Sequence, residues 1–213
     1  MYGENSAVFR AIKKVKRQNF VPPEMRQYAQ QDRPLPIGYG QTISAIHMYA
    51  IMLESGKLKT GMKVLEVGTG SGYGAALLKE IVGKKGKVYS IELIPQLSEF
   101  AKNNLKKAGY DAKIIAGKKA GKSEGEDGDF VSVIVGDGHS GYPPASPYDR
   151  IFVTAAAREI PSKLISQLKK EGLMLIPVGG YPQTLYLIKK LANGKLEKQD
   201  LGSVLFVPLI KKE

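Results

Sequence analysis

The stretch "EVGTGSGYGAA" (66–76) decides how the rest of the chain is read. It follows a short apolar run, "KVLEV" (63–67), and opens "AALLKEIV" (75–82), whose apolar residues recur at helical spacing. Gly68, Gly70 and Gly72 alternate through the turn, where the missing Cβ lets the backbone bend sharply and approach a ligand. A plain strand-to-helix turn has no need of three alternating glycines, so the loop, with Thr69 and Ser71 between them, reads as a nucleotide-type fingerprint.

Outward from this loop the rhythm continues. "KVYSIEL" (87–93) is a strand, and "PQLSEFAKNNLKKAG" (95–109) a helix with Pro95 in its first turn and Gly109 at its end. "VSVIV" (131–135) and "RIFVT" (150–154) are strands, a helix is expected over "PSKLISQLKK" (161–170), and "LMLIPV" (173–178) is another strand. The tail changes: "TLYLIKKLANGKLEKQ" (184–199) reads as two strands joined at Asn193-Gly194, and "SVLFVPLI" (203–210) as a last strand. The pattern predicts an α/β fold, a doubly wound and mostly parallel sheet closed by an antiparallel element. Residues 1–213 are expected to form a single domain, with 1–50 as a helical and substrate-loop region. Residues 117–129, "GKKAGKSEGEDGD", are too rich in Gly and charge to cover a core and are expected to be a mobile insertion.

Composition narrows the function. With no Cys there is no disulfide, thiolate nucleophile or thiolate metal site. No apolar run is long enough to span a bilayer and the start has no uninterrupted apolar leader, so a cytoplasmic protein without membrane attachment is expected. The net charge of +12 is spread over short clusters such as "KKVKRQ" and "LKKAG" rather than one stripe interleaved with aromatics, which argues against nucleic acid as the main partner.

Two ligands remain open on the glycine loop alone. Gly70 to Ala75 match the G-x-G-x-x-A dinucleotide fingerprint, with Glu92 at the end of the next strand placed to accept ribose hydroxyls. Glu66, in the order E-x-G-x-G-x-G, instead suits a cationic ligand such as S-adenosylmethionine, which carries an ammonium and a sulfonium and no phosphate. A third piece, "VIVGDGHSGYPPASPYDRIFV" (133–153), sets Asp137 and Gly138 after a strand, where they could meet an adenine edge; by itself Gly-Asp-Gly is a plain turn. "YPPASPY" is only superficially like the D/N-P-P-Y/F signature of amino-methyltransferases, since Gly141-Tyr142 stand where Asp or Asn is required. The small polar run "PIGYGQTISAIHM" (36–48) admits two readings: a loop with Thr42 or Ser44 capping the helix that follows, or the wall of a site.

Taken together, "PLPIGYGQTISAIHM" (34–48), "VLEVGTGSGYGAAL" (64–77), "GDGHSGYPPASPYDRI" (136–151), "VTAAAREIPSKLISQLKKEG" (153–172) and "VLFVPL" (204–209) resemble the protein-L-isoaspartate O-methyltransferase family. The resemblance implies a Rossmann-like class I methyltransferase fold with rearranged final strands. It also implies S-adenosylmethionine as methyl donor, and as acceptor the free α-carboxylate of L-isoaspartyl residues in damaged proteins and peptides. Ser44 is then the active-site residue, and Gln41, Thr42, Ile43 and His47 line the cofactor. Glu66, Gly68, Thr69, Gly70, Ser71 and Gly72 join them, with Glu92, Leu93, Asp137 and Gly138. Tyr39, Thr154, Ala155 and Ala156 border the substrate, while His139 is structural and no metal is involved. The chain departs from the family in having Ile46 where Pro is usual and in the 117–129 segment. Another S-adenosylmethionine-dependent transferase acting on RNA or a small molecule is the alternative, favoured only by the basic charge.

Overall fold

The computed structural model describes residues 6–116 and 129–211, so the insertion expected at 117–129 lies, apart from Asp129, outside the described residues. Helix α1 (Ala7–Lys14) starts where the Ser6 hydroxyl accepts the Phe9 N–H at 3.0 Å and ends on Lys13 and Lys14, which suit the negative end of its dipole. Two 3₁₀ turns (Arg17–Phe20 and Pro23–Tyr28) lead to a hairpin of β1 (Leu35–Gly38) and β2 (Gln41–Ile43), then to α2 (Ile46–Ser55). There follow β3 (Lys63–Val67), α3 (Tyr73–Val82), β4 (Lys87–Glu92), α4 (Pro95–Lys107), β5 (Asp111–Ala116), β6 (Phe130–Val135) and β7 (Tyr148–Val153). The chain finishes with α5 (Ser162–Ser166), β8 (Leu168–Val178), β9 (Gln183–Lys190) and β10 (Leu196–Val204).

The main sheet has eight strands in the order β10-β9-β8-β7-β3-β4-β6-β5. Neighbours from β8 to β5 run parallel, and β9 and β10 are added antiparallel, as the tail predicts. Both faces are covered. Val64, on one face of β3, packs with Leu77, Leu78 and Phe20, while Leu65 and Val67, on the other, pack with Tyr148, Ile151 and Met174. The chain leaves β3 for β4 on one side and later returns to pair β7 on the other, so the crevice outside the carboxyl end of β3 is the place where such sheets bind ligands. Among the described residues no helix is long and apolar enough to cross a membrane.

Two expected elements differ. The helix expected to Lys170 stops at Ser166, because Lys190 Nζ, reaching from β9, donates to the carbonyls of Ile165 (3.0 Å) and Leu168 (2.9 Å), and Leu168 already pairs with Tyr148 as sheet. The strand expected over 203–210 ends at Val204. Beyond it the Gln183 side chain takes the backbone of Phe206, accepting its N–H at 2.9 Å, and the chain peels off the sheet edge. It then runs as a strap beside Ala156, whose N–H donates to Val207 O at 2.8 Å and whose carbonyl accepts the Leu209 N–H at 2.8 Å.

Candidate active site

The turn after β3 takes the conformation its glycines allow, with Gly68, Gly70 and Gly72 at φ of +101°, +53° and +88°. At Gly68 the demand is also spatial: a Cβ there would stand 2.5 Å from Thr154 Oγ1. That hydroxyl instead donates to Gly68 O at 2.8 Å, so the end of β7 clamps the loop. From β4, the Ile91 carbonyl accepts the N–H groups of Gly68 and Thr69 at 2.9 and 3.0 Å. The Glu92 carboxylate accepts the Gly70 N–H on one oxygen at 2.8 Å and the Ile94 N–H on the other at 3.0 Å. The carboxylate keeps acceptor capacity for a further donor. Burial raises the Glu92 pKa while the backbone donors of Ile94, Gly70 and Leu93 pull it down.

These walls border an open cleft, about 720 Å³ of space counted out into solvent. Of the residues expected on the cofactor, Gln41, Thr42, Ile43, Gly68, Thr69, Gly70, Ser71, Glu92, Leu93 and Gly138 line it, as do Ser44, Thr154 and Ala155. A second groove of about 780 Å³ adjoins it, formed by Pro34, Ala45, His47, Met48 and residues 203–207. Thr42, Ser44, Thr154 and Val207 border both, so the two spaces meet at Ser44.

Other expected site residues lie elsewhere. His47 lines only the second groove, with its Nδ1 3.0 Å from Asp32 Oδ1. Asp137 is not among the residues lining the cleft, and its Oδ1 accepts the His139 N–H at 2.9 Å. Gly72 packs on Ala101, Ala156 is engaged by the strap, and Tyr39 stands at the tip of the β1–β2 hairpin, 59% exposed. Neither Thr42 nor Ser44 caps α2: the N-cap is Ala45, without a side-chain bond, and Asp32 Oδ1 accepts the His47 N–H at 2.9 Å instead. Glu66 departs furthest from the expected cationic-ligand role. It is 1% exposed and lies behind the loop beside Gly74 and Tyr49, where the Ser90 hydroxyl donates to Oε2 at 2.5 Å. Burial, with the Glu92 charge adding to it, raises the Glu66 carboxyl to about 8 against the pull of Ser90, so at neutral pH it is mostly protonated.

The sequence reading missed Tyr49 and residues 207–210, which also line the cleft. Tyr49 sits inside an apolar helical run, edge-on to Tyr73 at 5.2 Å, and resembles core; burial keeps its hydroxyl protonated. Pro208 in "VLFVPLI" was the available signal for the strap, because it cannot donate to a sheet ladder.

Comparison with known proteins agrees with this fold. The family profile described as "Protein-L-isoaspartate(D-aspartate) O-methyltransferase (PCMT)" matches residues 2–213. A protein-L-isoaspartate O-methyltransferase of Hyperthermus butylicus is 50% identical over 98% of this chain and 83% of its own length. The protein-L-isoaspartate O-methyltransferase 2 of Archaeoglobus fulgidus is 53% identical over 95% of this chain and 84% of its own. Among solved structures, a protein-L-isoaspartate O-methyltransferase superposes with a TM-score of 0.81 at 30% identity over 97% of this chain, which spans 62% of that longer one. A Plasmodium falciparum beta-aspartate methyltransferase (PCMT) in complex with S-adenosyl-L-homocysteine superposes with a TM-score of 0.79 at 28% identity, over 99% of this chain and 93% of its own.

Proposed function

The chain belongs to the protein-L-isoaspartate(D-aspartate) O-methyltransferase family, and from that membership we infer that its two adjoining clefts receive S-adenosylmethionine and an L-isoaspartyl peptide, meeting at Ser44. The observation that carries this reading is the shared border: Thr42, Ser44, Thr154 and Val207 face both spaces. The larger residue set fits an adenosyl group. The glycine turn and the Glu92 carboxylate both line the first cleft, and a carboxylate held there by backbone N–H groups suits a ribose diol.

S-adenosylmethionine supplies a methyl group on a sulfonium, an electrophile that needs no activation by metal or acid. An isoaspartyl residue carries the main chain through its side-chain carbonyl and leaves an α-carboxylate, of ordinary pKa roughly 3.5, ionised at neutral pH. The protein therefore has no proton to remove, and its task is orientation. Ser44 holds one carboxylate oxygen while the walls of the second groove place the other toward the donor cleft. Modest donors serve this reaction better than a tight cationic clamp. The acceptor loses its charge as the methyl arrives, and contacts equally strong before and during transfer do not speed it.

The direct test is methylation of a synthetic isoaspartyl peptide beside its aspartyl twin. The isoaspartyl peptide should be the methylated one; equal rates on both would remove the assignment of the second groove. The first cleft has its own test. Glu92→Ala should weaken S-adenosylmethionine binding at least tenfold by calorimetry, because it deletes charge-assisted hydrogen bonds of about 1.5–3 kcal/mol. An unchanged affinity would move the adenosyl group away from Glu92.

A further inference from the structure

Arg17 is 2% exposed and, among the described residues, has no carboxylate hydrogen-bonded to its guanidinium. Its partners are four backbone carbonyls. Nη1 donates to Ala29 O at 2.8 Å and Gln31 O at 3.1 Å, and Nη2 donates to Arg33 O at 2.9 Å and Ser44 O at 3.0 Å. Nε makes no hydrogen bond. Burying a cation among neutral acceptors is costly, and the carbonyl dipoles with the Asp32 charge nearby offset that cost against the opposing charge of Arg33. An apolar residue would avoid burying the charge but would strip these carbonyls of their donor, so what matters is which carbonyls the fork holds together.

The fourth acceptor supplies the explanation. Ser44 falls between the end of β2 at Ile43 and the start of α2 at Ile46, where neither a strand ladder nor a helix fixes the chain. No side chain caps that helix from its own N-cap. Arg17 joins the Ser44 carbonyl to three carbonyls of the 29–33 turn through one rigid plane. The same turn carries Asp32, which closes the first turn of α2 through the His47 N–H. The backbone on both sides of the shared border is thus referenced to one side chain that touches neither cleft.

We propose that Arg17 is a positioning residue for methyl transfer, fixing the Ser44 backbone so that its hydroxyl meets the acceptor carboxylate. This rests on the assignment of Ser44 to the acceptor. Lysine keeps the charge but offers a point donor instead of a planar fork, and so cannot hold Ser44 O and Arg33 O on one nitrogen while Ala29 O and Gln31 O occupy the other.

The experiment is a double-mutant cycle of Arg17→Lys and Ser44→Ala, with Arg17→Gln as a second form of the first change. Single-turnover methylation of an isoaspartyl peptide is measured at saturating S-adenosylmethionine and peptide. Rates are normalised to sites titrated with S-adenosylhomocysteine, so that only folded molecules count. Arg17→Lys is expected to lower the rate per site at least tenfold with S-adenosylhomocysteine affinity within threefold of the parent, and to add less than a twofold loss once Ser44 is Ala. A full rate per site in Arg17→Lys and Arg17→Gln overturns the proposal, as does an equal loss in both backgrounds or a loss confined to cofactor affinity. Failure of both variants to accumulate as cofactor-binding protein also overturns it, since Arg17 then serves folding alone. If Ser44→Ala by itself turns over at the parental rate, the Ser44 assignment falls and this proposal with it. If Ser44→Ala is slow and Arg17→Lys is not, only the Arg17 proposal is lost.

Discussion

Ser44→Ala is expected to slow single-turnover methylation of an isoaspartyl peptide on the order of 10²-fold while leaving the thermal midpoint and cofactor affinity close to those of the parent. The magnitude follows from the loss of about 10²–10³ when an oxyanion donor is removed, taken at its lower end because the acceptor charge diminishes during transfer. The stability half of the expectation comes from the structure. A helix-capping serine would cost about 0.5–2 kcal/mol on replacement, but α2 is capped at Ala45 and tied from Asp32, so the Ser44 hydroxyl carries no such duty. Cofactor affinity should move by less than about fivefold, about 1 kcal/mol. Three measurements decide it: thermal midpoint, calorimetric affinity and single-turnover rate. A lowered midpoint with a parental rate would return Ser44 to a structural role.

Glu66→Gln should reverse sign against the parent as pH rises. The native carboxyl titrates at about 8 against an ordinary 4.5, so between those values the folded chain binds a proton that the unfolded chain has lost. Stability therefore falls with rising pH across that window, at up to about 1.4 kcal/mol per pH unit, and is restored as pH drops toward 4.5. Glutamine has no proton to lose and still offers an oxygen to the Ser90 hydroxyl, which bonds Glu66 Oε2 at 2.5 Å. From pH 5 to pH 7 the variant should thus gain about 2–3 kcal/mol relative to the parent, enough to exceed any small packing cost at pH 5. Denaturant titrations at the two pH values measure this. Parallel pH profiles for the two proteins would show that Glu66 is ionised in the native state, as its place in the E-x-G-x-G-x-G order suggests.

That disagreement marks where the sequence ran out. The glycine turn was legible because Gly68, Gly70 and Gly72 answer a local backbone demand, and α4 because Pro95 and Gly109 bound it. The β9–β10 hairpin was legible from Asn193-Gly194 alone. What failed was set by partners distant along the chain. Lys190 truncates α5, and the Gln183 side chain draws residues 205–210 off the sheet. The β1–β2 hairpin carries Pro36 and three successive positive-φ residues, Gly38, Tyr39 and Gly40, and so gave a loop-like composition. Glu66 shares a face of β3 with Val64, pointing under α3 rather than toward the cleft, and only strand parity joined to the helix position could have shown it. Among the candidate site residues, the cleft-lining members of the three motif segments were readable, whereas Tyr49 and the strap were not.

The strap has a consequence for how the protein is made. Residues 207–210 form part of the cleft wall, yet they are synthesised after every strand of the sheet they lean on. A chain emerging from the ribosome can pair β3 with β4 and β7, and bring Ser44 beside the glycine turn, while this wall is still untranslated. The binding surface is then complete only after translation has passed the last strand. A half-made chain is an open sheet with an unfinished pocket, and the capacity to repair other proteins arrives late in its own birth.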